Sequence, residues 1–191
     1  LLMKNGDSVT IYDNLSHGHS SLIPPGAIFV HGDVADRTAL DRLFSSRKFD
    51  GVMHFAALIE AGESMQKPET YFRNNTAATL TLLETMLAFG VNRLVFSSTA
   101  AVYGNAETSP IREDSPLQPT NAYGESKLLV EHMLTWMNRA HGFRYASLRY
   151  FNVAGAIPGR GEAHEPESHL VPLILDVALG RRKSIKIYGQ D

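Results

Sequence analysis

The feature that most constrains this chain is the alternation of short apolar runs with segments of helical period. Residues 8–13 (SVTIYD), 27–34 (AIFVHGDV), 49–57 (FDGVMHFAA), 92–104 (NRLVFSSTAAVYG) and 143–155 (FRYASLRYFNVAG) read as strands. Between and after them lie a short helix with Leu40, Leu43 and Phe44 on one face, a long one from Pro68 to Gly90, one from Ala122 to Gly142, and one from His169 to Arg182 before a last strand near Ile185. Strands that are apolar along their whole length, rather than alternating, are of the kind buried on both faces of a parallel sheet. Repeated strand–helix–strand units then predict an α/β fold with a doubly wound parallel sheet. Ligands of such sheets bind at the carboxyl ends of the strands, near the switch in strand order.

Composition narrows the class further. The chain has 191 residues, 43% hydrophobic and 20% charged, with a formal net charge of -2, the balance of a soluble globular domain. Its interspersed charges form no basic stripe to hold a nucleic-acid backbone, and no apolar run reaches membrane-spanning length. It has no cysteine, so disulfides, thiolate metal sites and a thiol nucleophile are excluded together, and a reducing, cytoplasmic setting fits. His17 and His19 flank one glycine but lack further ligands at useful spacing, so no metal site is expected.

The ends read as interrupted elements. LLMKNGDSV has the pattern of the last turn of a helix stopped at Asn5-Gly6, and KSIKIYGQD that of a strand and turn with no continuation. The expectation is a chain incomplete at both ends, with residues 1–155 forming a dinucleotide-binding unit and 156–191 the start of a substrate region. The glycine-rich phosphate loop of such a unit would stand about 20 residues before the first strand-end acid, ahead of Leu1.

At the predicted strand ends, Asp13 could accept hydrogen bonds from ribose hydroxyls, or simply open a turn with Asn14. Asp33 could receive an adenine amino group, or serve as a helix N-cap in competition with Asp36. Ala56 and Ala57 would let the backbone approach a pyrophosphate, or let a helix pack close. The stronger constellation is SSTAAVYG, residues 97–104, followed after a proline-bearing loop by NAYGESK, residues 121–127. Tyr123 and Lys127, four residues apart on a helix, share one face. A tyrosine is a poor base at neutral pH, but a nearby ammonium stabilises its phenolate, and Thr99 could bridge phenolate and substrate. That set suits removal of an alcohol proton while the carbon gives up a hydride. The competing reading is a helix-start tyrosine packed under the loop, with Lys127 solvated.

The motifs IYDNL, GDV, VMHFAA, GESMQKPETYFRNN, FSSTAAVYG, YGESK and LRYFNVAGA, in this order, resemble the extended short-chain dehydrogenase/reductase family, most closely its UDP-hexose 4-epimerase branch. The resemblance spans essentially the whole chain. It implies a Rossmann-like fold, NAD as cofactor, a UDP-sugar substrate and a homodimer. It implies Tyr123 as base, Lys127 as its tuner and nicotinamide-ribose ligand, and Thr99 as proton relay, all three against the substrate or cofactor. NAD-contacting positions are implied at Asp13, Asn14, Asp33, Val34, Phe55, Ala56, Ala57 and Asn74, with Phe151 beside the nicotinamide. Asn152 is implied at the sugar diphosphate, and His169, Leu170, Lys186, Ile187 and Tyr188 around the uridine.

The resemblance has departures. Ile59 stands where many members carry a cofactor-contacting lysine, and His169 where others have asparagine. Ala100 and Ala101 replace the Asp-Glu pair usual in sugar-nucleotide dehydratases, which disfavours dehydration. Epimerases of other nucleotide sugars and a non-catalytic dinucleotide-binding protein remain as alternatives. In this family the first strand lies at the sheet centre. Two strands facing its place would leave unpaired backbone groups costing about 1–3 kcal/mol each where buried. The isolated stretch is therefore expected neither to fold stably nor to catalyse alone.

Overall fold

A computed structural model describes residues 1–106, 108–156, 161, 167 and 169–186. These residues gather into two compact units, one of Thr10–Asn14 and Ile28–Phe151, the other of the remaining segments.

The larger unit carries the alternation expected from the sequence. Its order is β1 (Thr10–Asp13), β2 (Ile28–His31), α1 (Arg37–Ser46), β3 (Val52–His54), α2 (Ala61–Ser64), α3 (Pro68–Tyr71), α4 (Ala78–Ala88), β4 (Arg93–Ser97), α5 (Ala122–His141) and β5 (Arg144–Leu148). All pairings are parallel, but the strands form two sheets, β1–β2 and β3–β4–β5, rather than one. Among the described residues no strand bridges them. One apolar core nevertheless serves both: Leu40, Leu83, Met86, Leu94, Phe96, Val130, Leu134 and Phe143 are buried, with Tyr12 and Val30 of the first sheet packed against them.

Local chemistry sets the helix ends. Asp36, not Asp33, caps α1, its carboxylate accepting from Ala39 N at 3.0 Å. Asn121 caps α5 through Gly124 N at 2.8 Å, and Gly142 closes it in the left-handed conformation with φ 65°. Pro68 starts α3, where a missing N–H costs nothing. The long helix read from Pro68 onward is present, but a π turn over Phe72–Ala77 joins α3 to α4. The strands are shorter than the apolar runs, because their carboxyl-terminal residues, FAA, STAAVYG and RYFNVAG, leave the sheet and form loops or a 3-10 turn.

In the smaller unit a 3-10 turn at Leu2–Asn5 ends on left-handed Gly6, and α6 spans Leu170–Ala178. Pro172 sits in the first turn of α6, where no intrahelical N–H bond is lost. Residues 183–186, where a strand was expected to begin, carry no regular structure; the rest of that segment lies outside the described residues. Among the described residues no helix is long and apolar enough to cross a membrane.

Candidate functional site

The carboxyl end of β4 and the start of α5 meet through the 3-10 turn Ala100–Tyr103. Thr99 caps that turn, its hydroxyl accepting from Ala101 N at 3.1 Å, and is itself buried. Tyr123 lies in the first turn of α5, its N–H donated at 3.0 Å to the wholly buried Ser64 hydroxyl, which in turn donates to Ala61 O at 2.7 Å. Burial pushes the Tyr123 phenol pKa up, and the nearby Thr99 side chain offsets only part of that rise.

Lys127 is buried, not solvated. Its ammonium donates to Ser97 O at 2.9 Å, one of its three donors, and stands 5.0 Å from the centroid of the Phe96 ring. Burial lowers its pKa to about 8. With one N–H on the Ser97 carbonyl, the ammonium keeps two further donors.

Asp13 closes β1, half-buried, and exposed Asn14 follows it. Asn14 Nδ2 donates at 2.8 Å to Asp33, whose other oxygen accepts Ala35 N at 2.8 Å. Freed from capping α1, Asp33 is a surface acceptor beside half-buried Val34. Phe55 and Ala56 are exposed, Ala57 is half-buried, and Phe151 is exposed. Asn74, in the π turn, donates to Asn75 Oδ1 at 2.9 Å. In the other unit Asn152, Leu170 and Lys186 are exposed, and His169 Nδ1 meets Glu167 at 2.8 Å. Ile187 and Tyr188 lie outside the described residues. Among the described residues no cluster of His, Asp or Glu could hold a metal ion.

Several site-forming residues escape a sequence reading. Asn75, buried, holds the loop after β3 with a side chain that imitates a strand: Oδ1 accepts Leu58 N and Nδ2 donates to Leu58 O, both at 2.9 Å, and Nδ2 reaches Ser126 at 3.0 Å. The π turn, a feature often found at functional sites, surrounds that residue. His54 is buried against Thr79 at 2.8 Å, stacked on Phe96; burial, then the charge of Lys127, lower its pKa to about 3, so it stays neutral. Buried Glu131, eight residues after Tyr123 on the same helix, and half-buried Arg149 form an ion pair at 2.6 Å. The spacing Tyr123, Lys127, Glu131 was the available signal for that pair.

The family model described as "NAD dependent epimerase/dehydratase family" matches residues 1–191. The chain is 51% identical over 191 residues to UDP-glucose 4-epimerase of Streptomyces lividans, covering 100% of this chain and 58% of that protein. It is similar to a crystal structure of a UDP-glucose 4-epimerase at TM-score 0.93 and 48% identity, covering 96% of this chain and 56% of that one. It is also similar to UDP-glucose 4-epimerase from Brucella ovis in complex with NAD, at TM-score 0.95 and 39% identity, covering 98% and 58%. The chain therefore spans little more than half the length of the relatives it matches.

Proposed function

Because the chain belongs to the NAD dependent epimerase/dehydratase family, we propose that the protein containing it interconverts UDP-galactose and UDP-glucose by transient oxidation at the sugar C4. The observation that carries this reading is the set of buried Thr99 and Lys127 with half-buried Tyr123 where β4 meets α5. The relatives' names support the substrate class, and Ala100 and Ala101 offer no acid–base pair for dehydration.

The residues present suit NAD. Asp13 and Asp33 offer acceptors for ribose and adenine at the ends of β1 and β2, with Asn14 and Val34 beside them. Ala56 and Ala57 leave room for a pyrophosphate, the exposed rings of Phe55 and Phe151 offer flat apolar faces, and Asn74 and Lys127 supply donors. Bound NAD supplies the hydride acceptor at C4. Tyr123, in its phenolate form, would take the C4 hydroxyl proton and become the phenol, with Thr99 bridging the two oxygens. Forming that phenolate puts negative charge on a half-buried side chain one helical turn from the Lys127 ammonium, and that attraction lowers the cost of losing the phenol proton. Asn152, His169, Leu170, Lys186, Ile187 and Tyr188 are assigned to the UDP moiety; residues 1–155 are assigned to the cofactor, with Asn152 reaching the substrate, and 156–191 to the substrate region.

The protein is further assigned to the cytoplasm as a homodimer. Exposed Leu80 on α4 and exposed Trp136 on α5, the latter under the Arg139 guanidinium at 5.0 Å, favour self-association, and sedimentation of the intact protein at one subunit's mass would remove that assignment. For the activity, the intact protein is assayed for UDP-galactose to UDP-glucose conversion beside Tyr123→Phe. Turnover by the parent, lost by about 10²-fold or more in the variant, is expected for a general base; equal rates in both would overturn the role of Tyr123.

A further inference from the structure

We propose that Glu131 and Arg149 form a positioning pair for the epimerisation, locking together the three chain segments that carry the reacting groups. The inference rests on the functional reading above and concerns residues that touch neither Thr99 nor Tyr123 themselves.

Glu131 continues the face of α5 that bears Tyr123 and Lys127. One of its oxygens accepts the Ser98 hydroxyl at 2.5 Å, between Ser97, which holds Lys127, and Thr99. The carboxylate also receives Arg149 Nε at 3.1 and 3.2 Å and Nη2 at 2.6 Å. Arg149 is the first residue beyond β5. Its Nη1 donates to the Tyr103 hydroxyl at 2.8 Å and to Glu113 O at 3.0 Å, and its guanidinium stands 5.0 Å from the Tyr103 ring centroid. The next residue, Tyr150, accepts Ala100 N at 2.7 Å, and Phe151 follows it.

One carboxylate thus ties the end of β4, the catalytic face of α5 and the end of β5, while the arginine adds the 3-10 turn and the proline-bearing loop. The side chains are 9% and 20% exposed. A pair this buried forfeits in desolvation much of what its attraction gains, so bulk stability is a weak account of it. Its distinctive property is direction: a guanidinium fork on a carboxylate fixes distance and plane together, whereas apolar packing tolerates sliding. If the pair loosens, Thr99 and the β5 end shift relative to Tyr123, and misplacement on the ångström scale costs catalysis about 10²-fold.

The test uses the intact protein with UDP-galactose. In Glu131→Gln and Arg149→Lys, neither of which keeps a charged fork, kcat is expected to fall about 10- to 100-fold while KM stays within about twofold, because neither group is assigned to binding the UDP-sugar. Ser98→Ala removes one link alone, and should lower kcat less and combine non-additively with Glu131→Gln. Should Glu131→Gln fail to fold, Ser98→Ala carries the test by its kcat against its KM. Variants that lose thermal stability but keep the parent kcat, or an unchanged kcat with a raised KM, would overturn the positioning role while leaving the epimerase reading intact. A parent without turnover overturns the reading and the inference with it.

Discussion

Gly124 directly follows Tyr123, and a methyl group placed on it would lie 2.7 Å from Ala101 O, 3.1 Å from Ala101 C and 3.2 Å from Pro119 Cβ. The carbonyl contact is about 0.7 Å short of ordinary van der Waals separation. Helix α5 or the turn Ala100–Tyr103 must retreat by that amount in Gly124→Ala. Thr99 caps that turn, so the retreat opens the spacing between Thr99 and Tyr123 directly. Overpacking costs about 1–3 kcal/mol, partly offset by roughly 1 kcal/mol of better helix propensity, leaving net stability within about 2 kcal/mol of the parent. Activity is expected to fall further, by about 10- to 100-fold in kcat. Gly142→Ala is the control: φ 65° penalises alanine by about 1–2 kcal/mol, yet a methyl there meets nothing within 4 Å. It should lower Tm and leave kcat unchanged. The assay is UDP-galactose turnover alongside thermal unfolding of both variants in the intact protein. A Gly124→Ala enzyme with the parent's kcat, or equal loss of kcat in both variants, would refute the reasoning.

Three further outcomes follow from buried polar groups. Lys127 has a folded pKa of about 8 against an ordinary 10.5, so between those values the unfolded chain binds more protons and stability rises with pH; urea unfolding of Lys127→Met should lack that rise. His54 has a folded pKa of about 3 against 6.5, so stability falls as pH drops from 6.5 toward 3, by at most about 1.4 kcal/mol per unit, and His54→Gln should flatten the acid limb. Ser64→Ala leaves the Tyr123 N–H without its acceptor and is expected to cost about 1–2 kcal/mol in denaturant unfolding; no change there would mean that the helix start finds another partner.

Local signals were legible where the physics is local. Gly142 closes α5 because a left-handed terminus acts within one turn, and Leu40, Leu43 and Phe44 mark the inner face of α1 by period alone. The contest between Asp33 and Asp36 needed geometry: both can cap, and only the chain's path shows Asp36 on the helix and Asp33 beside Asn14. Tertiary polar pairing was not legible. Ser64 meets Tyr123 across 59 residues and Asn75 meets Ser126 across 51, separations that no periodicity records. The π turn reads as ordinary helix in sequence, because nothing in FRNNTA marks the extra residue. The solvated reading of Lys127 fails because the Ser97 carbonyl and the Phe96 ring beside its ammonium come from β4, distant in sequence.

In the proposed reaction a hydride leaves C4 and returns to it. The direct measurement is NMR of the UDP-glucose formed by the intact protein from UDP-galactose deuterated at C4. Deuterium is expected to be retained at C4, with none exchanged for solvent hydrogen. Product carrying solvent hydrogen at C4, or no product at all, would contradict it.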